Sequence, residues 1–427
     1  MAPIASLSNL KRSDLFKQKG FIAELWVDSV SGSTFDVVNP ATLEAIATLP
    51  EMNATDTAKA VTAAHEAFKS YKKTSARQRA RWLRQWYALC MEHLEDLALI
   101  LTLENGKPLA EAKGEVIYAA SFLDWFAAEA ERTHGEVVPA ANLGQRILTI
   151  KEPIGVAACL VPWNFPIAMI TRKVGAALAA GCTTVWKPAG ETPFSALAQA
   201  LLAQEAGFPK GTVNVVTTLN NVAEVGEALC KSKLIRKLSF TGSTRVGKIL
   251  VEQSSANLTK LSLELGGNSP FIVFDDAKVE TAVDAYATSR GASVLLGGAS
   301  AKPNNLPGYF LQPTVLSGMS MESLTTTEEV FAPVVGLFPF KTEEEVIEKA
   351  NDCDVGLGSF IVTESISRMW RVAESLEVGM VGVNLGMLSA CESPFGGVKE
   401  SGYGREGGRH GIDEYLTVKS ILINVSS

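Results

Sequence analysis

The middle of the chain alternates short, almost uninterrupted apolar runs with longer stretches whose apolar residues recur every three to four positions. The runs at 155–161, 183–186, 213–216, 238–240 and 261–265 read as buried strands; the segments 167–180, 194–206, 222–230 and 244–253 between them read as helices. Strands apolar at nearly every position and separated by helices predict an α/β fold, a doubly wound parallel sheet covered on both faces. Upstream, 21–27 reads as short strand, followed by turns at Gly32 and Asn39-Pro40. Thr55-Asp56 is placed to cap a helix running to about residue 73. A second helix, from Ala76, carries Leu83, Trp86, Tyr87 and Cys90 at helical spacing and is expected to continue to Asn105-Gly106, where Gly106 and Pro108 stop it. A third, over 109–132, is rich in aromatics (Tyr118, Phe122, Trp125, Phe126) that read as core. Residues 134–145 look irregular and 146–151 resumes as strand. Downstream the pattern gives helix 279–288, strand 292–296, a Pro/Gly/Asn-rich loop over 302–313, strand 330–340, helix 343–351, strand 358–362, helix 366–376 and strand 379–384. A glycine-rich loop and a strand over 416–425, suited to pair outside its own domain, close the chain.

Open parallel sheets bind ligands at the carboxyl ends of their strands. Here those ends carry Pro162-Trp163-Asn164, Lys187-Pro188, Gly242-Ser243 and Glu264. The stretch 237–274 is the densest. A strand meets a Thr241-Gly242-Ser243 turn and then a helix N-terminus, which aims free N–H groups and the positive dipole end at an anion. One strand later Glu264 stands just before Gly266-Gly267, where a carboxylate can act as general base. The spacing from Gly242 to Gly247-Lys248 approaches a phosphate-binding P-loop, but Ile249 occupies the place of the magnesium-binding Ser or Thr, which argues against nucleotide hydrolysis. One strand–glycine–helix unit is ordinary architecture, and Glu264 alone reads equally as a solvated strand-end carboxylate. The weight rests on four strand ends together.

Of the 427 residues, 47% are apolar and 20% charged, an ordinary balance for a globular chain with more than one core. A net charge of −7 without a basic stripe argues against nucleic acid. No apolar run approaches the ~20 residues that cross a bilayer, so no membrane partner is expected. The first 20 residues lack the apolar core of a secretory signal, and cytoplasm is the expected location. The six cysteines (Cys90, Cys159, Cys182, Cys230, Cys353, Cys391) and four histidines form no metal-ligand spacing, so no metal is expected.

With these residues laid out, the chain resembles the NAD(P)-dependent aldehyde dehydrogenase superfamily over roughly 20–427. The match is carried by VPWNFP, AAGCTTVWKPA, FTGSTRVGK, LELGGNSP, EEVFAP and PFGGVKESGYGREGG, in that order. Within it the chain is most similar to succinate-semialdehyde dehydrogenases, through WNFPIAMITRKVGAALAAGC, LEVGMVGVN and GIDEYL. The resemblance implies a tail at 1–20, N-terminal helices and a dinucleotide-binding domain at 21–275 with a strand extension at 136–151, a catalytic domain at 276–410, and an oligomerisation strand at 411–427. It implies a homo-oligomer, dimer or tetramer. It makes Asn164 the oxyanion donor and Glu264 the general base. Lys187 would hold the adenosine ribose, Ser243 and the helix start with Gly242 and Gly247 the pyrophosphate, and Glu329 the nicotinamide ribose. Phe331, Pro162, Trp163 and Leu265 would line the cofactor. Arg172 would pair with a substrate carboxylate, its alternative being a surface charge, and Ser389 matches a substrate-loop serine. Gly190 replaces the glutamate that NAD-preferring relatives often place near the ribose, with Glu191 next door, so the cofactor is expected to be NAD or NADP.

The pattern breaks at one point. The family reaction needs a cysteine thiolate to attack the aldehyde and carry the acyl group as a thioester until water releases it. No cysteine lies between Cys230 and Cys353. The chain passes from DDAKVETAVDAYATSR into GASVLLGG, a gap near 283–290 of roughly two βα pieces, at about 30 residues for a full βαβ unit. Three readings stand: a segment dropped from the gene model of an intact enzyme, a non-catalytic relative that keeps cofactor binding or assembles with an active one, or a substitute thiol, for which Cys391 is the candidate.

Overall fold

Alternate residues of the central strands feed two separate cores, which is why those strands read as unbroken apolar runs. In Val156–Leu160, the side chains of Val156, Ala158 and Leu160 enter one cluster while those of Ala157 and Cys159 enter the other. The computed structural model describes residues 6–278, 296–326 and 328–425. Its main sheet contains β1 (Gly20–Ile22), β2 (Leu25–Val27), β3 (Val156–Leu160), β4 (Thr183–Lys187), β5 (Val213–Val215), β6 (Ile235–Thr241), β7 (Lys260–Glu264) and β8 (Gly402–Tyr403). Their spatial order is β2-β1-β5-β4-β3-β6-β7-β8. The five strands from β5 to β7 are parallel, and β1 and β8 close the two sides antiparallel. Strand order reverses between β3 and β6, so the loops leaving those two strands diverge and open a crevice.

Helices cover both faces, as the pattern predicts. On one side α1 (Ala54–Tyr71) packs with α7 (Val222–Lys231) and α8 (Thr244–Ser254) over a core of Ala60, Val61, Val185, Leu229, Leu238 and Leu250. On the other, α2 (Ala76–Glu92), α3 (Leu94–Asn105), α4 (Leu109–Ala130), α5 (Pro166–Ala180) and α6 (Phe194–Glu205) build the larger core around Trp86, Phe122, Phe126 and Trp186. Every residue of α5 is buried. Among the described residues, no helix is long and apolar enough to cross a membrane.

Several expected boundaries move. The expected strand 21–27 is a hairpin, because Ala23 and Glu24 turn with φ of 51° and 64°. The first helix is capped by Asn53, not Thr55-Asp56: the Asn53 side chain accepts the N–H groups of Thr55 and Asp56, and Asp56 returns a bond to the Asn53 N–H. The long helix expected from 76 to 105 divides at His93. There α2, with one apolar stripe, gives way to α3, which is apolar nearly all round and is wedged between α4 and α6. The strand expected over 330–340 shrinks to Val334–Gly336, since Pro333 and Pro339 flank it and cannot donate to a ladder. The helix expected over 279–288 and the strand over 292–296 lie outside the described residues, apart from Leu296, which bridges Val315.

Beyond residue 270, Phe271–Val273, Gly358–Val362 and Met380–Val383 form a small parallel sheet under the helices Glu343–Asn351 and Ile366–Ser375, with Ile272, Ile361, Val372 and Leu376 inside. A cavity of about 1000 Å³ lies beside it, lined by Ile272, Phe331, Val334, Phe338 and Val346 among others. Within 276–410, β8 pairs with β7 of the main sheet. Leu416–Asn424 pairs antiparallel along the whole of Gln145–Pro153.

Candidate active site

The oxyanion candidate sits on the loop between β3 and α5, and that loop is clamped from α3 and α4. Asn105 Nδ2 donates to the Trp163 carbonyl (2.7 Å), and Lys107 Nζ donates to the Asn164 carbonyl (2.9 Å). Lys107 is ion-paired with Glu115, whose Oε1 accepts the N–H of Ile167 (2.9 Å) and so satisfies the first turn of α5. Asn164 Oδ1 accepts the N–H of Phe165 (3.0 Å). Its amide NH2, with no hydrogen-bond partner among the described residues, is left to donate, as an oxyanion site requires.

At the neighbouring strand end, Lys187 is 8% exposed and makes no ion pair among the described residues. Burial pulls its ammonium down to about 8, with Glu191 and Glu51 acting weakly in the other direction. A buried ammonium without a partner suits an acceptor-rich ligand. A Cβ at Gly190 would lie 2.7 Å from both the Leu219 Cδ1 atom and the Thr218 carbonyl, so no side chain fits beside Lys187 there.

Across the crevice Ser243 caps α8, its Oγ accepting the Val246 N–H (3.4 Å). The Gly242 N–H donates to the Glu264 carbonyl, tying the turn to β7. A Cβ at Gly247 would fall 2.6 Å from Leu265, so glycine lets this helix start press against the end of β7. A cleft of about 700 Å³ joins Ser243, Thr244, Gly266, Gly267, Glu329 and Glu400. Phe331 stands edge-on to Trp163, ring centroids 5.7 Å apart, bringing the EEVFAP segment to the Asn164 loop.

Glu264 is buried at the end of β7 and held by Thr241 Oγ1 (2.7 Å) and by Arg172 Nη2 (2.9 and 3.2 Å to its two oxygens). Arg172 is no surface charge: it is 2% exposed, and its Nε lies 2.8 Å from Glu406. Lys173 pairs with Glu406 and donates to Thr241 Oγ1 (2.6 Å). Sequence reasoning missed Lys173, Thr241 and Glu406; two adjacent cations in an otherwise apolar helix were the available signal, since such cations demand buried carboxylates.

The structure therefore gathers Pro162, Trp163, Asn164, Lys187, Gly242, Ser243, Gly247, Glu264 and Leu265 at the carboxyl edge of one sheet, with Glu329 and Phe331 facing them. Ser389 is half-buried, and among the described residues no hydrogen bond joins it to Arg172 or Glu264. Cys391 is 9% exposed and packs in the larger core, where burial pushes its thiol up. That is the opposite of what a thiolate nucleophile needs. Among the described residues no group of His, Cys, Asp or Glu is arranged to hold a metal.

Comparison with known proteins finds matches along almost the whole chain. A family profile described as "Aldehyde dehydrogenase family" matches residues 26–290 and 284–421. Succinate-semialdehyde dehydrogenase [NADP(+)] 1 of Schizosaccharomyces pombe is 46% identical over 490 aligned positions, covering 98% of each chain. Glutarate-semialdehyde dehydrogenase of Pseudomonas aeruginosa is 42% identical, covering 97% of this chain and 99% of its own. Among solved structures, a crystal structure described as an E. coli NADP-dependent enzyme superposes with a TM-score of 0.95 at 42% identity, covering 97% of this chain and all of the other.

Proposed function

This chain belongs to the aldehyde dehydrogenase family, and from that premise we propose that it is built to oxidise a short carboxylated aldehyde, succinate or glutarate semialdehyde, using NADP⁺ or NAD⁺. The observation that carries the reading is that Asn164, Lys187, Ser243 and Glu264 all follow or end neighbouring parallel strands at their carboxyl ends, on either side of the strand-order reversal. The dinucleotide, when bound, supplies the two-electron acceptor. The chain's own groups do the rest. Lys187 donates to the ribose end, and the α8 start with Ser243 takes the pyrophosphate. Glu329 and Phe331 hold the nicotinamide end, Pro162, Trp163 and Leu265 line the path, and Asn164 steadies the developing oxyanion. Glu264 accepts the proton of the attacking group, and Arg172 recognises the substrate's acid group, with Ser389 near its entry. The absence of a side chain at Gly190 removes one source of repulsion against a 2′-phosphate, which supports NADP⁺.

The nucleophile is the missing part. In the same reading, the thiolate-bearing segment is absent near 283–290. Three observations support this. The two family matches meet at 284–290. The S. pombe alignment needs 490 positions for a chain of 427, so at least 63 (490 less 427) face no residue here. An apolar cavity of about 1000 Å³ adjoins Phe271–Val273, the last described strand before this point. The chain as it stands is then a cofactor-binding protein awaiting a nucleophile, on its own or in assembly with an active relative. Exposed Val418 and Leu422 on the Leu416–Asn424 strand favour a homo-oligomer, dimer or tetramer. The reading keeps the cytoplasmic location expected from the sequence. The test is direct: add succinate semialdehyde and NADP⁺ and follow NADPH absorbance, then titrate NADPH by fluorescence. Binding without turnover is expected for this sequence, and turnover in a version carrying the relative's extra segment. Turnover by the chain alone would overturn the missing-nucleophile reading, and failure to bind NADPH would overturn the cofactor site.

A further inference from the structure

Arg172 joins two buried carboxylates, Glu264 and Glu406. Its Nη2 lies 2.9 and 3.2 Å from the two oxygens of Glu264, and its Nε 2.8 Å from Glu406. Among the described residues the remaining nitrogen, Nη1, meets only the Tyr118 hydroxyl, at 3.5 Å, and the half-buried ring of Phe395 covers the guanidinium face at 4.3 Å. Lys173 and Thr241 complete the set: Lys173 pairs with Glu406, and Thr241 donates to Glu264. Arg172, Lys173, Glu264 and Glu406 thus form a closed buried group of two cations and two anions. In this arrangement both oxygens of Glu264 are engaged by the guanidinium, and among the described residues Arg172 keeps no free fork for a ligand. One rotation of the guanidinium, from Glu264 toward the Nη1 side, changes both conditions together.

We infer that Arg172 is a lock on Glu264 that the substrate's own carboxylate opens. The inference rests on the carboxylated-aldehyde reading above and deepens it. An incoming carboxylate competes with Glu264 for the guanidinium, so recognition of the acid group frees the base, whereas an aldehyde of the same length without an acid group leaves Glu264 paired. Arg172 is in this sense a positioning residue for Glu264, and its selectivity goes beyond simple attraction.

Binding tests this without any need for turnover. Succinate is titrated calorimetrically into the full chain and into Glu264→Gln, Arg172→Gln and Arg172→Lys, with succinamide as the uncharged control. NADPH fluorescence and thermal melting check that each variant is folded. Removing the competing carboxylate in Glu264→Gln is expected to tighten succinate about tenfold, the size of one charge-assisted hydrogen bond. Both Arg172 variants lose that binding, and succinamide binds none of the four. A role of Arg172 that is only structural would not make Glu264→Gln a tighter binder. Succinate affinity unchanged or weaker in Glu264→Gln, while still lost in the Arg172 variants, overturns the lock alone. Succinate binding that is absent from the parent, or indifferent to Arg172, overturns the lock and the carboxylate reading together.

Discussion

Replacing Lys187 with Met should weaken the cofactor and strengthen the fold, a combination that separates a ligand-holding cation from a structural one. The side chain is 8% exposed, lacks an ion-pair partner among the described residues, and has its ammonium pulled by burial from 10.5 to about 8. Keeping it charged at neutral pH therefore costs the folded state about 3 kcal/mol, and Met removes that cost at nearly constant volume. The same change deletes a charged donor, worth about 1.5–3 kcal/mol to a hydrogen-bonded ligand. NADPH affinity should fall roughly 10- to 150-fold by fluorescence titration, while the apparent melting temperature rises. The pH dependence follows with a definite sign. The ammonium is lost as pH rises through about 8, so parent affinity should weaken above that pH, and the Met variant should be flat there. A Met variant that binds NADPH like the parent, or that melts lower, would refute the reasoning.

Lys107→Met strands the Glu115 carboxylate, whose side chain is 1% exposed, and should cost about 3–5 kcal/mol in denaturant unfolding, with much of it recovered by adding Glu115→Gln. Gly402 adopts φ of +100°, and a Cβ there would sit 2.0 Å from the Leu263 carbonyl; Gly402→Ala should cost about 1–3 kcal/mol or more and speed hydrogen exchange of the Leu265 N–H, which donates to the Ser401 carbonyl. Burial alone would raise the Glu406 carboxyl, yet Lys173 and Arg172 hold it below its ordinary value. Its stabilisation is therefore present above the unfolded value of about 4.3 and is lost as pH falls further through the folded one. An acid-unfolding series should show a flatter low-pH limb in Glu406→Gln. Cys391, with its thiol pushed up by burial, should resist iodoacetamide at neutral pH until the protein unfolds, and added aldehyde should not change its labelling.

The parallel sheet was legible because strands buried on both faces are apolar throughout, and the strand ends stood out because each interrupts such a run with a glycine or a polar residue. What escaped were pairings that leave no local trace. Glu406 meets Lys173 across most of the chain, and β8 is two residues long, too short for any periodicity. The Lys107–Glu115 clamp reaches the Asn164 loop from a different segment. From sequence Arg172 reads as a ligand-facing or a surface charge, because its spacing on α5 says nothing about the two carboxylates that enclose it. His93 gives no sign of a break in the sequence, since hydrophobic spacing continues through it.

A crystal structure of the full chain with NADP⁺ is the most direct measurement of the central claim. The account predicts the adenosine ribose at Lys187, the pyrophosphate against Ser243 and the first turn of α8, and the nicotinamide end among Asn164, Glu264 and Glu329. A dinucleotide bound away from the β3–β6 crevice, or across it with Lys187 and Ser243 untouched, would contradict it.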